Sequence, residues 1–264
     1  MCFVMLIQGL NQYNGNIAQK KKEVKMDTIK IEKGSVLMVA HRGLSGIEKE
    51  NTIAAFVAAG NRSYYGIETD VHRTADGKYI IIHDSNTKRV SGVSCTVEET
   101  NFDTLRSIRL KDTDNESNRV DLYMPSLEEY VKICKKYNKV CVLELKEVMT
   151  EDDVIAIAEI VANEGYIENT IFISFEANNL IFLKKHYPNQ TAQYLFGKLT
   201  DEICDFLVKY KIDIDMYCND VTKEVVEKAH SLGLKVNCWT VDNPDEAARV
   251  IDCGVDFITS DILE

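Results

Sequence analysis

From Val36 to Ser260 the chain alternates between short apolar runs rich in β-branched residues and longer amphipathic segments, several of which end at glycine. Short apolar runs of this kind are typical of buried strands, and the amphipathic segments are typical of helices. Alternation of the two predicts parallel strands joined by helical crossovers. The runs are Val36–Ala40, Gly66–Val71, Tyr79–His83, Val140–Leu145, Ile171–Phe175, Ala192–Phe196, Ile212–Met216, Lys235–Trp239 and Asp256–Ser260.

About eight strand–helix units fit a (β/α)8 TIM barrel, which needs roughly 250 residues. An open doubly wound α/β sheet is the alternative, but no Gly-x-Gly-x-x-Gly motif follows the first run. We predict a single barrel domain over residues 31–264. For residues 1–30 we predict a flexible N-terminal tail.

Composition excludes several classes of protein. The chain has 31 basic and 42 acidic residues, a net charge of −11, which disfavours nucleic acid as a partner. No apolar run approaches the ~20 residues of a membrane span, so no stable membrane insertion is expected. None of the eight cysteines forms a C-x-x-C pair. This pattern favours buried free thiols and a cytoplasmic location over a structural zinc site.

The ninth run is one too many for the barrel and has its own explanation. Only seven residues join the second and third runs, too few for a parallel crossover. They include Asp76-Gly77, a strong hairpin signal, which predicts an antiparallel arm above the barrel mouth. With a two-residue turn there, the register places His83 opposite Asp70. Residues 85–120 show no clear period, and we predict a loop insertion.

Acidic side chains lie at the ends of two runs. Glu68 and Asp70 alternate along one strand and share a face, as do Glu144 and Lys146 along another. Buried carboxylates are costly unless cations or a metal pair with them. Internal ion pairs are the simpler interpretation of each motif, and a metal site is the functional one.

Histidines mark the ends of two further runs. His41-Arg42 follows the first run, and His83 ends the third. We expect an exposed position on the arm for His72, and structural positions near helix C-termini, where a cation is favourable, for His186 and His230.

Together these residues indicate one chemistry. Hard oxygen ligands suit Mg²⁺ or Ca²⁺ rather than zinc or copper. Two histidines can supply a general base and a general acid. An ion, an arginine and a lysine would hold a phosphate on an acidic protein, so the residues predict metal-assisted phosphoester cleavage.

Short motifs recur in a specific order: AHRG at 40–43, ENT at 50–52, IETDV at 67–71, IIHD at 81–84, LELK at 143–146, WTV at 239–241 and GVDFITSD at 254–261. In this series the chain, from about Val36 onwards, resembles the glycerophosphodiester phosphodiesterase family. The resemblance implies a TIM barrel that hydrolyses deacylated phospholipids such as glycerophosphocholine or glycerophosphoethanolamine. The products would be sn-glycerol 3-phosphate and an alcohol.

The resemblance also implies roles for individual residues. It makes His41 and His83 the catalytic pair. Arg42 and Lys146 would contact phosphate, and Trp239 would line the glycerol side. The remaining implied residues are the ligands of one Mg²⁺ or Ca²⁺ ion, Glu68, Asp70 and Glu144.

Two departures from the family pattern stand out. Lys49 replaces the usual proline before Glu-Asn-Thr, and Ser260 interrupts the usual Thr-Asp, so that no role is expected for Asp261.

Two other functions remain open. A phospholipase C- or D-like enzyme acting on lipid would need an apolar rim, to which Tyr64, Tyr65 and Tyr123 are the candidate contributors. A non-catalytic barrel that binds a phosphorylated ligand is the second. The attacking group is either water or the glycerol 2-hydroxyl, and the oligomeric state is not predicted.

Overall fold

A computed structural model describes residues 27–116 and 119–264, and it confirms the predicted TIM barrel. Eight parallel strands run in the order β1-β9-β8-β7-β6-β5-β4-β2, and pairing between β1 and β2 closes the barrel. The barrel strands are β1 (Leu37–Ala40), β2 (Gly66–Arg73), β4 (Val140–Leu145), β5 (Thr170–Ser174), β6 (Ala192–Phe196), β7 (Asp213–Tyr217), β8 (Val236–Trp239) and β9 (Phe257–Ser260). β3 (Tyr79–Ile81) pairs with β2 only.

Helices cover the outside of the barrel, and their apolar faces pack against the strands in the main core. Short 3₁₀ helices lie at Val97–Glu99, Ile167–Asn169 and Cys218–Asp220. The α-helices are α1 (Ile53–Gly60), α2 (Lys88–Ser91), α3 (Phe102–Ser107), α4 (Leu127–Tyr137), α5 (Glu151–Asn163), α6 (Ala177–His186), α7 (Asp201–Tyr210), α8 (Lys223–Ser231) and α9 (Pro244–Cys253).

The arm formed by β2 and β3 is antiparallel, as predicted, but its predicted register is wrong by one residue. Val71 pairs with Ile81, and the Ile82 N–H donates to the Asp70 carbonyl at 3.1 Å, so Ile82 rather than His83 lies opposite Asp70. The reason is a three-residue loop in place of a two-residue turn. The Thr74 N–H donates to the Lys78 carbonyl at 2.8 Å, and within the loop only Gly77 has a positive φ, 72°.

Residues 85–110 are better structured than the missing period suggested. Two short helices and a 3₁₀ turn enclose a second small core, built on one face of the arm. Its buried members are Ile80, Ile82, Val90, Val97, Leu105, Leu110, Leu122 and Met124. Elements of four to six residues are too short to show a helical period, although their apolar side chains still form a core.

The segment before β1 is attached to the end of the barrel. The Ile29 N–H donates to the Ile262 carbonyl, and the Ile31 N–H donates to the Glu264 carbonyl, both at 3.1 Å. Residues 1–26 of the predicted tail, including Cys2, lie outside the described residues. All seven described cysteines are free. Within the described ranges no helix combines the length and apolarity of a membrane span.

Candidate active site

A cavity opens at the carboxyl ends of the barrel strands, where TIM barrels carry their active sites. Six of the eight predicted site residues line it, and the other two, Asp70 and Lys146, contact the lining from beside it. The lining residues are His41, Arg42, Glu68, His83, Glu144, Ile173, Phe175, Leu195, Asp215, Trp239, Thr240 and Thr259.

Three carboxylates form the centre of the polar half of the cavity. Glu68 and Asp70 share a face of β2, and the register of β2 with β4 places Asp70 beside Glu144. One oxygen from each lies within 4.8 Å of the others, and all three side chains are buried. The sequence-predicted set is therefore brought together in space.

Cations and hydrogen-bond donors surround these carboxylates. The Lys146 Nζ lies 2.8 Å from Glu144 and 3.6 Å from Asp70. The Arg42 backbone N–H donates to Glu68 at 2.7 Å, and its Nε lies 3.8 Å from Asp70. The internal ion pairs expected from the sequence are thus present for Asp70 and Glu144, which share Lys146, whereas Glu68 has no cationic group within 4.0 Å among the described residues.

Burial and mutual repulsion make the three negative charges unfavourable together. Burial, with the nearby charges of Asp70 and Glu144, raises the pKa of Glu68. Burial, with the charge of Asp70, raises the pKa of Glu144 to about 8. Burial also opposes ionisation of Asp70, but Lys146 and other cations hold its pKa below the usual range. A divalent cation would relieve this repulsion.

The arrangement fits such an ion. The Asp70 Oδ1 is buried and has no hydrogen-bond partner among the described residues. All three groups offer hard oxygen ligands, which Mg²⁺ and Ca²⁺ prefer. Glu68, Asp70 and Glu144 can therefore hold a divalent ion.

His41 is oriented by Asp261, a residue for which the sequence predicted no role. The His41 Nδ1 lies 2.7 Å from Asp261 Oδ1, which also accepts from the Ser45 hydroxyl at 2.7 Å. With hydrogen on Nδ1, the His41 Nε2 is left as the nitrogen for proton transfer. Ser260 ends β9, and Asp261 follows it directly.

His83 has a similar partner and lines the cavity despite the corrected register, and residues 83–85, which follow β3, form a bend. Its Nδ1 lies 2.7 Å from Asp84 Oδ1. Arg89 binds Asp84 and also Glu50, at distances between 2.6 and 3.0 Å, and Glu50 accepts from the Arg42 guanidinium at 3.0 Å. One hydrogen-bonded chain thus joins His83 to Arg42. Burial lowers the pKa of His83, although the charge of Asp70 opposes this.

Asn51 supports the carboxylates, a role that sequence reasoning missed. The Asn51 amide donates to Asp70 Oδ2 at 2.7 Å and accepts from the Thr69 hydroxyl at 2.6 Å. Asparagine is a common N-cap residue, but the N-cap of α1 is Thr52. Asn51 instead has a φ of 55°, a region that asparagine tolerates better than most residues.

The opposite half of the cavity is mainly apolar, with one buried acid. Asp215 is 1% exposed, and its Oδ1 has no hydrogen-bond partner among the described residues. Burial, together with the charge of Glu144, raises its pKa. The alternation of β7 could have shown that Asp215 faces inward, but the Asp-Ile-Asp pattern does not distinguish it from Asp213.

An aromatic cluster lies at the rim, although not where the sequence suggested. The Trp239 ring lies 5.6 Å from both Phe175 and Tyr217, which are 46% and 41% exposed. The tyrosines proposed for an apolar rim lie elsewhere. Tyr64 and Tyr65 precede β2 at the opposite end of the barrel, and Tyr123 packs under Arg106.

The other histidines lie outside the cavity lining. His186 ends α6 and bonds to Glu151, and His230, in the last turn of α8, bonds to Asp256. His72 was expected to be exposed, but it is 1% exposed because the insertion covers the arm.

Comparisons with known proteins agree with this geometry. The glycerophosphoryl diester phosphodiesterase family model matches residues 41–264. Glycerophosphodiester phosphodiesterases from Caldanaerobacter subterraneus and Bacillus subtilis are similar, with 26% and 27% identity. The first alignment covers 85% of this chain and 93% of the relative, and the second covers 83% and 81%.

Solved structures show the same architecture. A phosphodiesterase from Oleispira antarctica, in complex with the product sn-glycerol 3-phosphate, has a TM-score of 0.79 at 23% identity, over 85% of this chain and 92% of its own. A glycerophosphodiester phosphodiesterase from Parabacteroides distasonis has a TM-score of 0.71 at 27% identity, over 89% and 94%. Because the family model spans most of the sequence, this chain belongs to the glycerophosphoryl diester phosphodiesterase family and is an enzyme of that class.

Proposed function

We propose that the enzyme hydrolyses small glycerophosphodiesters, such as glycerophosphocholine or glycerophosphoethanolamine, with the help of one Mg²⁺ or Ca²⁺ ion. The products are sn-glycerol 3-phosphate and the head-group alcohol. The observation that carries this proposal is the cavity itself, where three buried carboxylates lie beside two histidines that each have an aspartate on Nδ1. The product seen with the Oleispira relative supports the choice of substrate.

In the proposed mechanism, Glu68, Asp70 and Glu144 hold the ion, which when bound offsets negative charge on the phosphodiester oxygens. Arg42 and Lys146 bind the phosphate and stabilise charge that develops on it. Trp239 lines the glycerol side of the cavity.

Proton transfer is assigned to the two histidines. His41 takes the proton of the attacking oxygen through Nε2, and His83 gives a proton to the leaving alkoxide. Asp261 and Asp84 keep both rings in the tautomer and orientation that this transfer requires. The attacking oxygen belongs to water or to the glycerol 2-hydroxyl. A cyclic phosphate intermediate in the product mixture would identify the latter.

The test is glycerol 3-phosphate release from a panel of glycerophosphodiesters, with Mg²⁺, with Ca²⁺ and with chelator. Ion-dependent release supports the proposal. Binding of glycerophosphocholine without turnover would identify a non-catalytic ligand-binding barrel instead. Faster turnover of the intact phospholipid than of its deacylated form would identify a lipid phosphodiesterase.

The lipid alternative has one observation in its favour, the half-exposed aromatic cluster at the rim. Aromatic side chains of this kind suit the boundary between water and lipid. Co-sedimentation with anionic and zwitterionic vesicles tests it, with Phe175→Ser and Tyr217→Ser as variants. Strong binding that both variants reduce would support a lipid substrate.

Replacing Asp261 with asparagine should lower kcat by about tenfold to a thousandfold. The asparagine amide can donate to Nδ1 as well as accept from it, so the His41 ring loses its fixed tautomer. Steady-state kinetics measures the effect. Asp256→Asn removes a similar His–Asp contact, to His230, outside the cavity, and it should leave kcat nearly unchanged. Equal effects of the two variants would contradict the role of Asp261.

Replacing Gly77 with valine should lower turnover while leaving the barrel folded. A Cβ there would approach nothing closer than 3.5 Å, so the effect comes from the positive φ, which costs a non-glycine residue about 1–2 kcal/mol or more. The arm would shift, and His83 with it.

Gly34→Val is the matched control, because Gly34 has a φ of 56° with open space around it, in the turn before β1. The melting temperatures of both variants should fall modestly, but only Gly77→Val should lose turnover. Global unfolding of Gly77→Val would show that the barrel needs the arm.

A further inference from the structure

His72 lies next to the proposed site without lining its cavity. Its side chain is fully buried between the arm and the insertion. The His72 Nδ1 lies 2.6 Å from a Glu98 carboxylate oxygen, and its Nε2 lies 3.1 Å from the backbone carbonyl oxygen of His83.

Both neighbours of the ring are hydrogen-bond acceptors. A carboxylate and a carbonyl can only accept, so the His72 ring satisfies both contacts only by donating from both nitrogens. The His72 ring, which belongs to the arm, therefore links Glu98 in the insertion to the backbone of His83.

His83 needs such support because it lies beyond the regular ladder. β3 ends at Ile81, and the last backbone bond between the two strands of the arm is the one from the Ile82 N–H to Asp70. The Asp84 carboxylate orients the His83 ring, and Arg89 links that carboxylate to Glu50, but none of these contacts is made to the His83 backbone.

Glu98 is anchored in turn by the insertion. It lies in the 3₁₀ turn Val97–Glu99, where Val97 is buried in the second core and its N–H donates to the Ser85 carbonyl at 2.9 Å. The second core thus holds the carboxylate that holds His72.

We propose that His72 is a positioning residue. Together with Glu98, it holds the backbone of His83 in the position from which the His83 ring reaches the substrate. The inference rests on the proposed function, because it takes His83 as a proton-transfer group. It assigns the insertion a task in catalysis, although the insertion's second core lies apart from the cavity.

Two amide substitutions separate the two hydrogen bonds. Asparagine places its amide nitrogen near the position of the histidine Nδ1, so His72→Asn keeps the bond to Glu98 and loses the bond to His83. Glutamine reaches the position of Nε2, so His72→Gln keeps the bond to His83 and loses the bond to Glu98.

We expect His72→Asn to lower kcat by about tenfold to a hundredfold with little change in KM, since a small displacement of a reacting group has effects of this size. His72→Gln should retain kcat within about threefold of the wild type, which is the rescue that a purely structural role would not give. Equal losses in both variants, or none in His72→Asn, would overturn the inference.

Glu98→Ala provides a second test of the pair. The Glu98 side chain is partly exposed, so its replacement disturbs packing less than replacement of the buried His72. Glu98→Ala should lower kcat less than His72→Asn does, and by about as much as His72→Gln, because both of these changes remove the contact with Glu98 and keep the bond to His83. Circular dichroism checks that the protein is folded. A folded Glu98→Ala protein that loses as much kcat as His72→Asn would also overturn the inference.

One further measurement tests whether His72 binds a metal instead. His72, Glu98 and Glu147 offer ligand atoms within 4.8 Å of one another. Two bound ions per wild-type chain and one in Glu98→Ala would make His72 a ligand and overturn the positioning role.

If the wild type lacks glycerophosphodiesterase activity, the proposed function fails. If the wild type is active and His83→Ala is inactive, but His72→Asn keeps the wild-type kcat, this inference fails alone.

Discussion

Alanine at His41 or at His83 lowers kcat by about 10²–10⁴, the expected result when one proton-transfer group is removed. The two losses should not add in the double variant, because both histidines act in one displacement. Rapid assays of glycerol 3-phosphate release at saturating substrate measure each loss.

The chain contains its own controls. His186 and His230 also contact carboxylates, at 2.5 and 2.9 Å, but lie outside the cavity lining. Alanine at either position should leave kcat nearly intact. A loss smaller than tenfold in His41→Ala or His83→Ala would remove that residue from the proposed mechanism.

Exhaustive chelation should abolish turnover, and added Mg²⁺ or Ca²⁺ should restore it. Replacing Glu68 with glutamine should greatly weaken ion binding, because it removes one of three carboxylates. The same change should leave the ion-free protein as stable as the wild type or more stable. Burial and like charges raise the pKa of Glu68, so its negative charge is unfavourable without the ion. Calorimetric titration and thermal melts with and without ion measure the two effects.

Asp215→Asn is the matched control for Glu68→Gln. Asp215 is also a buried acid of this cavity whose pKa is raised by burial, but it lies outside the carboxylate cluster. Its amide should preserve ion affinity. Full activity of the wild type after chelation, or wild-type ion affinity in Glu68→Gln, would contradict the metal assignment.

The fold was predictable because its signal is repeated. Each strand–helix unit carries its own periodicity and often its own stop, as when Asn243, Pro244 and Gly254 begin and end α9. The carboxylate set was also predictable, since alternation along β2 and β4 fixes which side chains share a face. Parallel strands then bring their carboxyl ends to the same rim.

The partners of the histidines were harder to predict, for physical reasons. Asp261 lies 220 residues from His41, and only closure of the barrel brings them together. Asn51 has the residue type of a helix cap, and nothing local shows that its backbone is left-handed. The arm register depended on whether the loop holds two residues or three. The loop is also in contact with a distant segment, because Asp76 accepts from the Phe102 N–H in the insertion, and this contact is not visible in the local sequence.

Barrel closure also leads us to expect that the parts of the site assemble at different times during folding. The carboxylates of β2 and β4 are 74 positions apart at Asp70 and Glu144, and these strands pair directly. The contact between His41 and Asp261 instead needs β1 to meet β9, one of the most distant pairings in the chain. Long-range pairings of this kind form late because the loop they close is large. During refolding, ion binding is therefore expected to recover before turnover, so that an open barrel holds its ion before it is able to use it.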